Sequence, residues 1–254
     1  MSETAVSDAS PLVRYGNFLF RYRNALFPIV LVTLIVAFPP EYPRGSERLD
    51  NLLDLAGILV ALAGQSLRVA VIGYVYIARG GRNRRVYADG LVTGGFFAHS
   101  RNPLYLGNIL VLLGLFLIHD NWWVYAIGVP FFLIGYAAIV AAEEAFLRGK
   151  FGAGYDAYAS AVPRWIPRWR GLAESLDGIE FNWRRVILKE YGSTFAWTSG
   201  ATVLMIYDTL AHFPYAARRG YIDLLGGVLV LLTAAWGTVR YLKKSRRLRE
   251  VRPA

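Results

Sequence analysis

The sequence contains no cysteine, three histidines and two methionines, and only 18% of its 254 residues are charged. Without cysteine there are no disulfides, no thiolate metal sites and no thiol nucleophile. The compartment stays open, because a chain without thiols is indifferent to redox conditions. Acid is scarce: 18 Asp and Glu stand against 28 Lys and Arg, for a net charge of +10. No internal repeat or low-complexity segment occurs, and no HExxH, P-loop or nucleophile elbow. The string GAGYDA at 152–157 fits G-x-G-x-x-A but follows a helical pattern rather than a strand, so a dinucleotide site fails its context test. No cleavable signal pattern is visible: Arg14, Arg21 and Arg23 lie in the first 24 residues with no apolar core before them, and the first apolar run is expected to act as an uncleaved anchor.

What fills the chain is apolar. Hydrophobic residues make up 55%, with 7 Trp, 16 Tyr and 14 Phe. That composition argues against disorder and against an ordinary soluble domain. A bilayer crossing needs about 20 largely apolar residues. Six windows approach this: 24–40, 55–78 (interrupted once, by Arg68), 102–119, 121–142, 191–207 and 224–239, the fifth being short and carrying Gly, Ser and Thr. The expected fold class is all-α, a polytopic membrane helical bundle of about six transmembrane helices with an added amphipathic cytoplasmic helix over 143–161. A Trp-rich interfacial stretch, PRWIPRWRGL, follows that helix.

The basic residues choose an orientation. Three Arg in the first 24 residues, five over 79–101, eight Lys and Arg over 148–189 and seven from Arg240 onward fall on alternate connections. The opposite connections hold only Arg44, Arg48, Arg218 and Arg219. The positive-inside rule puts both termini in the cytoplasm. Trp122 and Trp123 suit an aromatic belt at the far interface. Because the charge is spread over separate connections, nucleic-acid binding is not expected. The basic tail suits anionic headgroups instead.

Two polar features meet in this topology. The third window opens with SRNPLYLGN, where Asn102 is a natural N-cap and Pro103 suits the first helical position. The fourth ends in Glu143 and Glu144, a carboxylate doublet that opposes the helix dipole at a helix C-terminus and is costly near the hydrocarbon boundary. Only the turn 119–121 joins the two windows, so they should form an antiparallel hairpin. About 20 residues each way, near 30 Å at 1.5 Å per residue, return Arg101 and the Glu doublet to one level. Read from these residues alone, the pair is either a salt bridge pinning the hairpin or part of a polar site, with Tyr105 one turn deeper. Arg68 either snorkels toward the cytoplasm or faces that site. His99 is a loop histidine, solvated or touching a ligand. His119 and His212 look structural, and Arg82 and Asp89 are further contact candidates.

The order and spacing of residues around these features resemble the isoprenylcysteine carboxyl methyltransferase and phospholipid N-methyltransferase superfamily. Its core pattern is met by Gly90, Leu91, Val92, Thr93, Gly95, Phe97, Arg101, Pro103, Tyr105 and Gly107. Glu143, Glu144, Phe151, Gly152, Tyr155, Tyr158, Val162, Pro163 and Arg164 continue it. The resemblance covers about 52–168, leaving 1–51 as an N-terminal arm with the first span and 169–254 as an extension with two further spans. It implies an integral membrane enzyme that uses S-adenosylmethionine, without a Rossmann domain, its cofactor enclosed at the cytoplasmic surface and a lipid-like acceptor entering from the bilayer. Carried onto this chain, Arg101 and Glu144 are the expected catalytic residues. The expected cofactor-binding residues are Gly90, Leu91, Val92, Thr93, Phe97, Asn102, Pro103, Tyr105, Glu143 and Glu144. No metal is required.

The chemistry of the residue types agrees. Aromatic faces, Phe96, Phe97, Tyr105 and Tyr155 among them, attract a sulfonium. A Glu accepts from ribose hydroxyls or an ammonium group, and Arg101 can pair with a carboxylate. The backbone of DGLVTGG can approach a ligand closely.

Two departures narrow the acceptor. Asn102 stands where the family usually has His and cannot titrate near neutral pH. The stretch YAAIVAA before the Glu doublet holds no Arg, which argues against an isoprenylcysteine carboxylate. A lipid or lipid-like amine or oxygen acceptor is expected. The rivals are isoprenylcysteine-type carboxyl methylation, small-thiol S-methylation, and a non-catalytic transporter or scaffold.

Overall fold

The computed structural model describes residues 10–75, 79–82 and 85–248; within these, the side chains of 79–82 and 85 are not described. The N-terminal residues 1–9, the end of the second apolar window at 76–78 and the last residues of the basic tail lie outside them, as does the side chain of Arg82.

The first helix, α1 (Pro11–Ala37), starts where Ser10 Oγ accepts from the Val13 amide and Pro11 takes the first turn. Next, α2 (Glu47–Tyr74) is capped by Ser46, with Glu47 and Asp50 in its first turn. A short antiparallel ribbon, β1 (Arg79–Arg82) with β2 (Arg85–Ala88), pairs Arg79 with Ala88. A 3₁₀ turn over Gly95–Ala98 then leads into α3 (Pro103–His119).

Asn121 makes the following turn. Its Oδ1 accepts from the Trp123 amide at 2.8 Å, while its Nδ2 donates to the Pro39 carbonyl at 2.8 Å. A wide turn over Val124–Gly128 runs without a break into α4 (Val129–Phe151). Gly152, at φ +52°, redirects the chain into α5 (Ala153–Ala161), so the helix expected over 143–161 is two pieces. After α6 (Leu172–Leu176) come two long helices, α7 (Trp183–His212) and α8 (Tyr215–Lys244).

The greater part of each apolar window, among the described residues, falls on a helix. Four of these are long and apolar enough to cross a membrane: α1, α2, the continuous Val124–Phe151 unit and α8. The other two do not meet that measure. α3 has 17 residues, and the middle of α7 is diluted by Gly192, Ser193, Thr194, Thr198, Ser199, Gly200 and Thr202. The molecule is an all-α integral membrane protein, with four such helices among the described residues.

Packing departs from the simple hairpin. Joined antiparallel, α3 and α4 nevertheless find their main partners elsewhere: α3 lies on α2, and α4 lies on α1. Glycine decides the first of these. Gly57 faces Gly114 and Gly64 faces Gly107 so closely that a Cβ on Gly57 would stand 2.6 Å from the Gly114 carbonyl oxygen, and one on Gly114 2.4 Å from that of Gly57. Close backbone approach through small residues is the usual route to helix association in lipid, where burial gives no drive. The α1–α4 contact uses the same device: a Cβ on Gly16 would sit 1.9 Å from the Ala138 carbonyl oxygen. α7 spans α2 and α3, and α8 packs on α7 with only Leu225 of its length buried.

Gly114→Ala should lower the thermal unfolding midpoint in detergent, by about 1–3 kcal/mol of stability, the usual cost of overpacking. Gly200→Ala, where a Cβ meets nothing within 4 Å, should leave it level or raise it. Equal behaviour of the two variants would remove the glycine seam as the basis of the α2–α3 contact.

Candidate functional site

The site is organised by two segments running side by side. The Arg101 amide donates to the Pro163 carbonyl at 2.9 Å, and the Arg168 amide to the His99 carbonyl at 3.1 Å. Side chains complete the seam: Ser100 Oγ donates to the Trp165 carbonyl at 2.9 Å and Asn102 Nδ2 to that of Arg164 at 3.1 Å. Asn102 therefore stands at the N-cap of α3 without a side-chain capping bond. Its amide serves the long-range seam instead. His99 is buried, with Nδ1 2.5 Å from the Arg168 carbonyl oxygen and Nε2 2.8 Å from Ser175 Oγ. The loop histidine is thus a structural tie, neither solvated nor aimed at a ligand.

Glu144 closes this corner. It is buried, lies 3.5 Å from Arg101 Nε and accepts from Arg164 through both Nε, at 3.2 Å, and Nη2. Its hydrogen bond holds the Arg164 guanidinium still more firmly protonated. Tyr155, packed beside it with Leu91, Leu147 and Tyr158, has its phenol pushed up to about 12 by burial and then by the Glu144 charge. Tyr158 OH donates to the Phe97 carbonyl at 2.7 Å.

One residue back, Glu143 points elsewhere. Tyr105 OH donates to its Oε1 and accepts from Arg23 Nη1 at 3.0 Å. The Arg23 guanidinium lies 4.0 Å from the centre of the Phe20 ring. The doublet is not at a helix end, since α4 runs on to Phe151. The helix dipole therefore does not oppose them, and two adjacent carboxylates serve two separate clusters.

Glu143, Tyr105 and Arg23 line a cleft of about 930 Å³ between α1, α3, α4 and α7, with Phe97, Asn102, Asn108 and Lys189 on its walls. A second, more apolar lobe of about 350 Å³ shares Phe27, Arg68, Asn108, Tyr136 and Ser193 with the first and is floored by Leu31, Leu115 and Trp197. From Arg23 to Leu31 is eight residues of helix, roughly 12 Å. The cleft thus descends from a charged rim to an apolar floor, in the size range of small-molecule sites.

Of the ten expected cofactor residues, Phe97, Asn102, Tyr105 and Glu143 line the cleft. Arg101 and Glu144 form the ion pair beside it, and Pro103 is buried in the first turn of α3. The Gly90–Thr93 loop stands apart: Leu91 packs on Tyr155, Val92 on Phe96 and Phe97, Gly90 is half-buried and Thr93 exposed.

Comparison with known proteins agrees with this architecture. The phospholipid methyltransferase family pattern matches residues 55–154. A cobalt-zinc-cadmium resistance protein, CzcN, from Cupriavidus metallidurans is 30% identical over 173 residues, 66% of this chain and 76% of its own length. A nickel-cobalt-cadmium resistance protein, NccN, from Alcaligenes xylosoxydans xylosoxydans is 27% identical over 164 residues, 65% of this chain and 72% of its own. No solved structure matches. The chain belongs to the phospholipid methyltransferase family. The names of its two relatives specify metal resistance and no methyl acceptor.

The family-matched span ends before α7 and begins after α1, yet both helices wall the cleft. Arg23, Lys189, Glu190 and Ser193 escape the resemblance for that reason. Arg68 does not snorkel. It turns inward, with Nε at 2.8 Å and Nη2 at 2.6 Å from the Glu190 carboxylate, and Nη1 donating to Asn108 Oδ1. A Cβ at Gly107 would stand 2.6 Å from Arg68 Cγ, so the glycine of P-x-Y-x-G makes room for this side chain. An arginine interrupting one apolar window and a glutamate bordering another were the available signal.

Glu144→Gln should cost about 3 kcal/mol of stability, because it removes the buried carboxylate that pairs with Arg101 and Arg164. Arg164→Ala should cost less than about 1 kcal/mol, its side chain being 45% exposed. Thermal unfolding in detergent separates the two, and a larger loss for Arg164→Ala would reverse the assignment of Glu144 to Arg101.

Proposed function

We propose that this member of the phospholipid methyltransferase family is an S-adenosylmethionine-dependent enzyme that methylates an N or O atom of a lipid or lipid-like acceptor, in a site open to the cytoplasmic face of six crossings. The observation that carries this is the shape of the cleft: a charged and aromatic rim at the Arg101 corner continuing into an apolar lobe between helices. Such a gradient suits a polar reacting group attached to a hydrocarbon, and a small thiol would leave the apolar lobe empty.

The residues present fit the cofactor. Phe97, Tyr105 and Tyr136 offer aromatic faces to a cation, and Glu143 offers a carboxylate to an ammonium or a hydroxyl. When bound, S-adenosylmethionine supplies a methyl group on a sulfonium whose charge is lost on transfer. The protein's task is then alignment and exclusion of water. Tyr105, held between Arg23 and Glu143, fixes the direction of that carboxylate. Arg101 and Glu144 lock the start of α3 to α4, and the seam to 163–168 locks it to the segment beyond. In this reading they keep the rim in register. Leu91 and Val92 anchor the Gly90–Thr93 loop on Tyr155, Phe96 and Phe97, from where its backbone would hold a part of the cofactor that extends beyond the cleft.

The purified protein, incubated with methyl-labelled S-adenosylmethionine and a total lipid extract, should transfer label to the organic phase. Calorimetry in detergent should show cofactor binding in the absence of lipid. Absence of both label and binding would leave the transporter or scaffold reading. Glu143→Gln should weaken cofactor affinity by about 1–3 kcal/mol, the range for a lost charged hydrogen bond. Unchanged affinity in that variant would move the cofactor away from the cleft.

A further inference from the structure

Where the two lobes meet, the cleft is ringed by a buried polar network that the family-matched span supplies only in part. Glu190, from α7, receives four hydrogen bonds: Arg68 Nη2 to Oε1, and Arg68 Nε, Gln65 Nε2 at 3.1 Å and Ser193 Oγ at 3.1 Å to Oε2. Gln65 is held in turn by Trp197 Nε1 at 3.0 Å. A carboxylate has about four acceptor sites, so most of Glu190's capacity is taken by its own neighbours and its part is to hold Arg68. The Arg68 guanidinium has five N–H donors. Nε and Nη2 each give one to Glu190, and Nη1 gives one to Asn108. Two remain without a partner among the described residues, on a side chain that lines both lobes. Ionisable groups at such depth are costly, and those retained there commonly serve function.

We propose that Arg68, positioned by Glu190 and Asn108, is a specificity-determining residue that binds an anionic oxygen at the waist of an amphiphilic acceptor, between its reacting head and its apolar tail. This rests on the proposed acceptor class and deepens it. The head occupies the rim by Glu143 and Tyr105. The first stretch of hydrocarbon lies in the lobe lined by Val111, Leu112 and Ala196. An oxyanion at the waist accepts the two remaining Arg68 N–H groups, a charge-assisted contact. A phosphodiester and a fatty carboxylate share this chemistry.

The test uses three amphiphiles with the same diazirine-bearing chain: a phosphatidylglycerol, a fatty acid and a diacylglycerol. Each is offered to the full-length protein in phosphatidylcholine nanodiscs, and photo-labelled peptides are identified by mass spectrometry. The expected result is labelling around Val111, Leu112 and Ala196 at least about tenfold higher with an anionic probe than with diacylglycerol, in line with one charged hydrogen bond. Preference between the two anionic probes tells phosphodiester from carboxylate. Arg68→Met with Glu190→Gln, which removes both charges together, should bring the anionic probe down to the diacylglycerol level while cofactor affinity by calorimetry stays unchanged. Arg68→Lys should keep part of the preference.

Equal labelling by all three probes in the wild-type protein, which needs no variant to fold, overturns the proposal; so does preference that survives the double substitution. Cofactor binding without selective labelling would remove the Arg68 role and leave the methyltransferase reading standing. Selective labelling without cofactor binding would do the reverse.

Discussion

Two carboxylates on successive residues of one helix lie about 100° apart around its axis, and the site depends on that separation. Glu144 turns toward Arg101 and Arg164 and binds the start of α3 to the segment beyond α5. Glu143 turns into the cleft and is oriented by Tyr105. Were both to face the same way, one cluster would lack its counter-charge and the other would carry two. The energetic weight differs as well. Glu144 and Arg101 are both largely withdrawn from solvent, where an unpaired charge costs far more than the pair gains, so that corner is held by the penalty for opening it.

The cleft exists because two helices joined by a three-residue turn find their main packing partners elsewhere. Glycine on the α2 and α3 surfaces draws those two backbones together, while Gly16 draws α1 onto α4. In lipid these contacts have little to compete with, since hydrocarbon covers an apolar side chain as well as another helix does. The α3–α4 pair is held near the turn by Phe116 against Phe132 and at the other end by Arg101 and Glu144, and it is open between them. A void between helix pairs, closed at one end by charge and floored at the other by Leu31, Leu115 and Trp197, follows from that arrangement.

Much of this was legible in residue order. The apolar windows became helices, because a run of apolar residues that long has few other ways to satisfy its backbone in lipid. The Arg101 and Glu144 levels coincided, because helix rise is fixed and the turn is short. What was not legible has physical reasons. The helix over 143–161 breaks at Gly152, whose φ of +52° depends on packing that composition does not reveal. Asn102 looked like a cap, yet it makes no side-chain capping bond. A carbonyl 62 residues away took the amide instead. Arg23 belongs to an N-terminal arm read as a charge anchor, and nothing in a single sequence says that α1 lies against α4 rather than α2. The glycines at 57, 64, 107 and 114 did carry a signal: two pairs spaced by seven, whose antiparallel pairing the fold requires.

Arg68 is the case in which the general rule and the particular neighbourhood disagree. A lone arginine near the end of an apolar helix ordinarily extends its stem to the headgroups. Here α3 offers a glycine at 107 where that stem would otherwise collide, and α7 offers a glutamate already turned by Gln65 and Ser193. Desolvation of both ions is offset only because every oxygen of Glu190 is hydrogen-bonded. Replacing the pair with apolar residues of similar volume would often be neutral or stabilising in such a setting. A pair kept for stability alone would gain nothing from standing on the wall of a cavity, with two guanidinium donors unspent and an apolar lobe directly below. Its location, rather than its strength, is what ties α7 to the chemistry of the cleft.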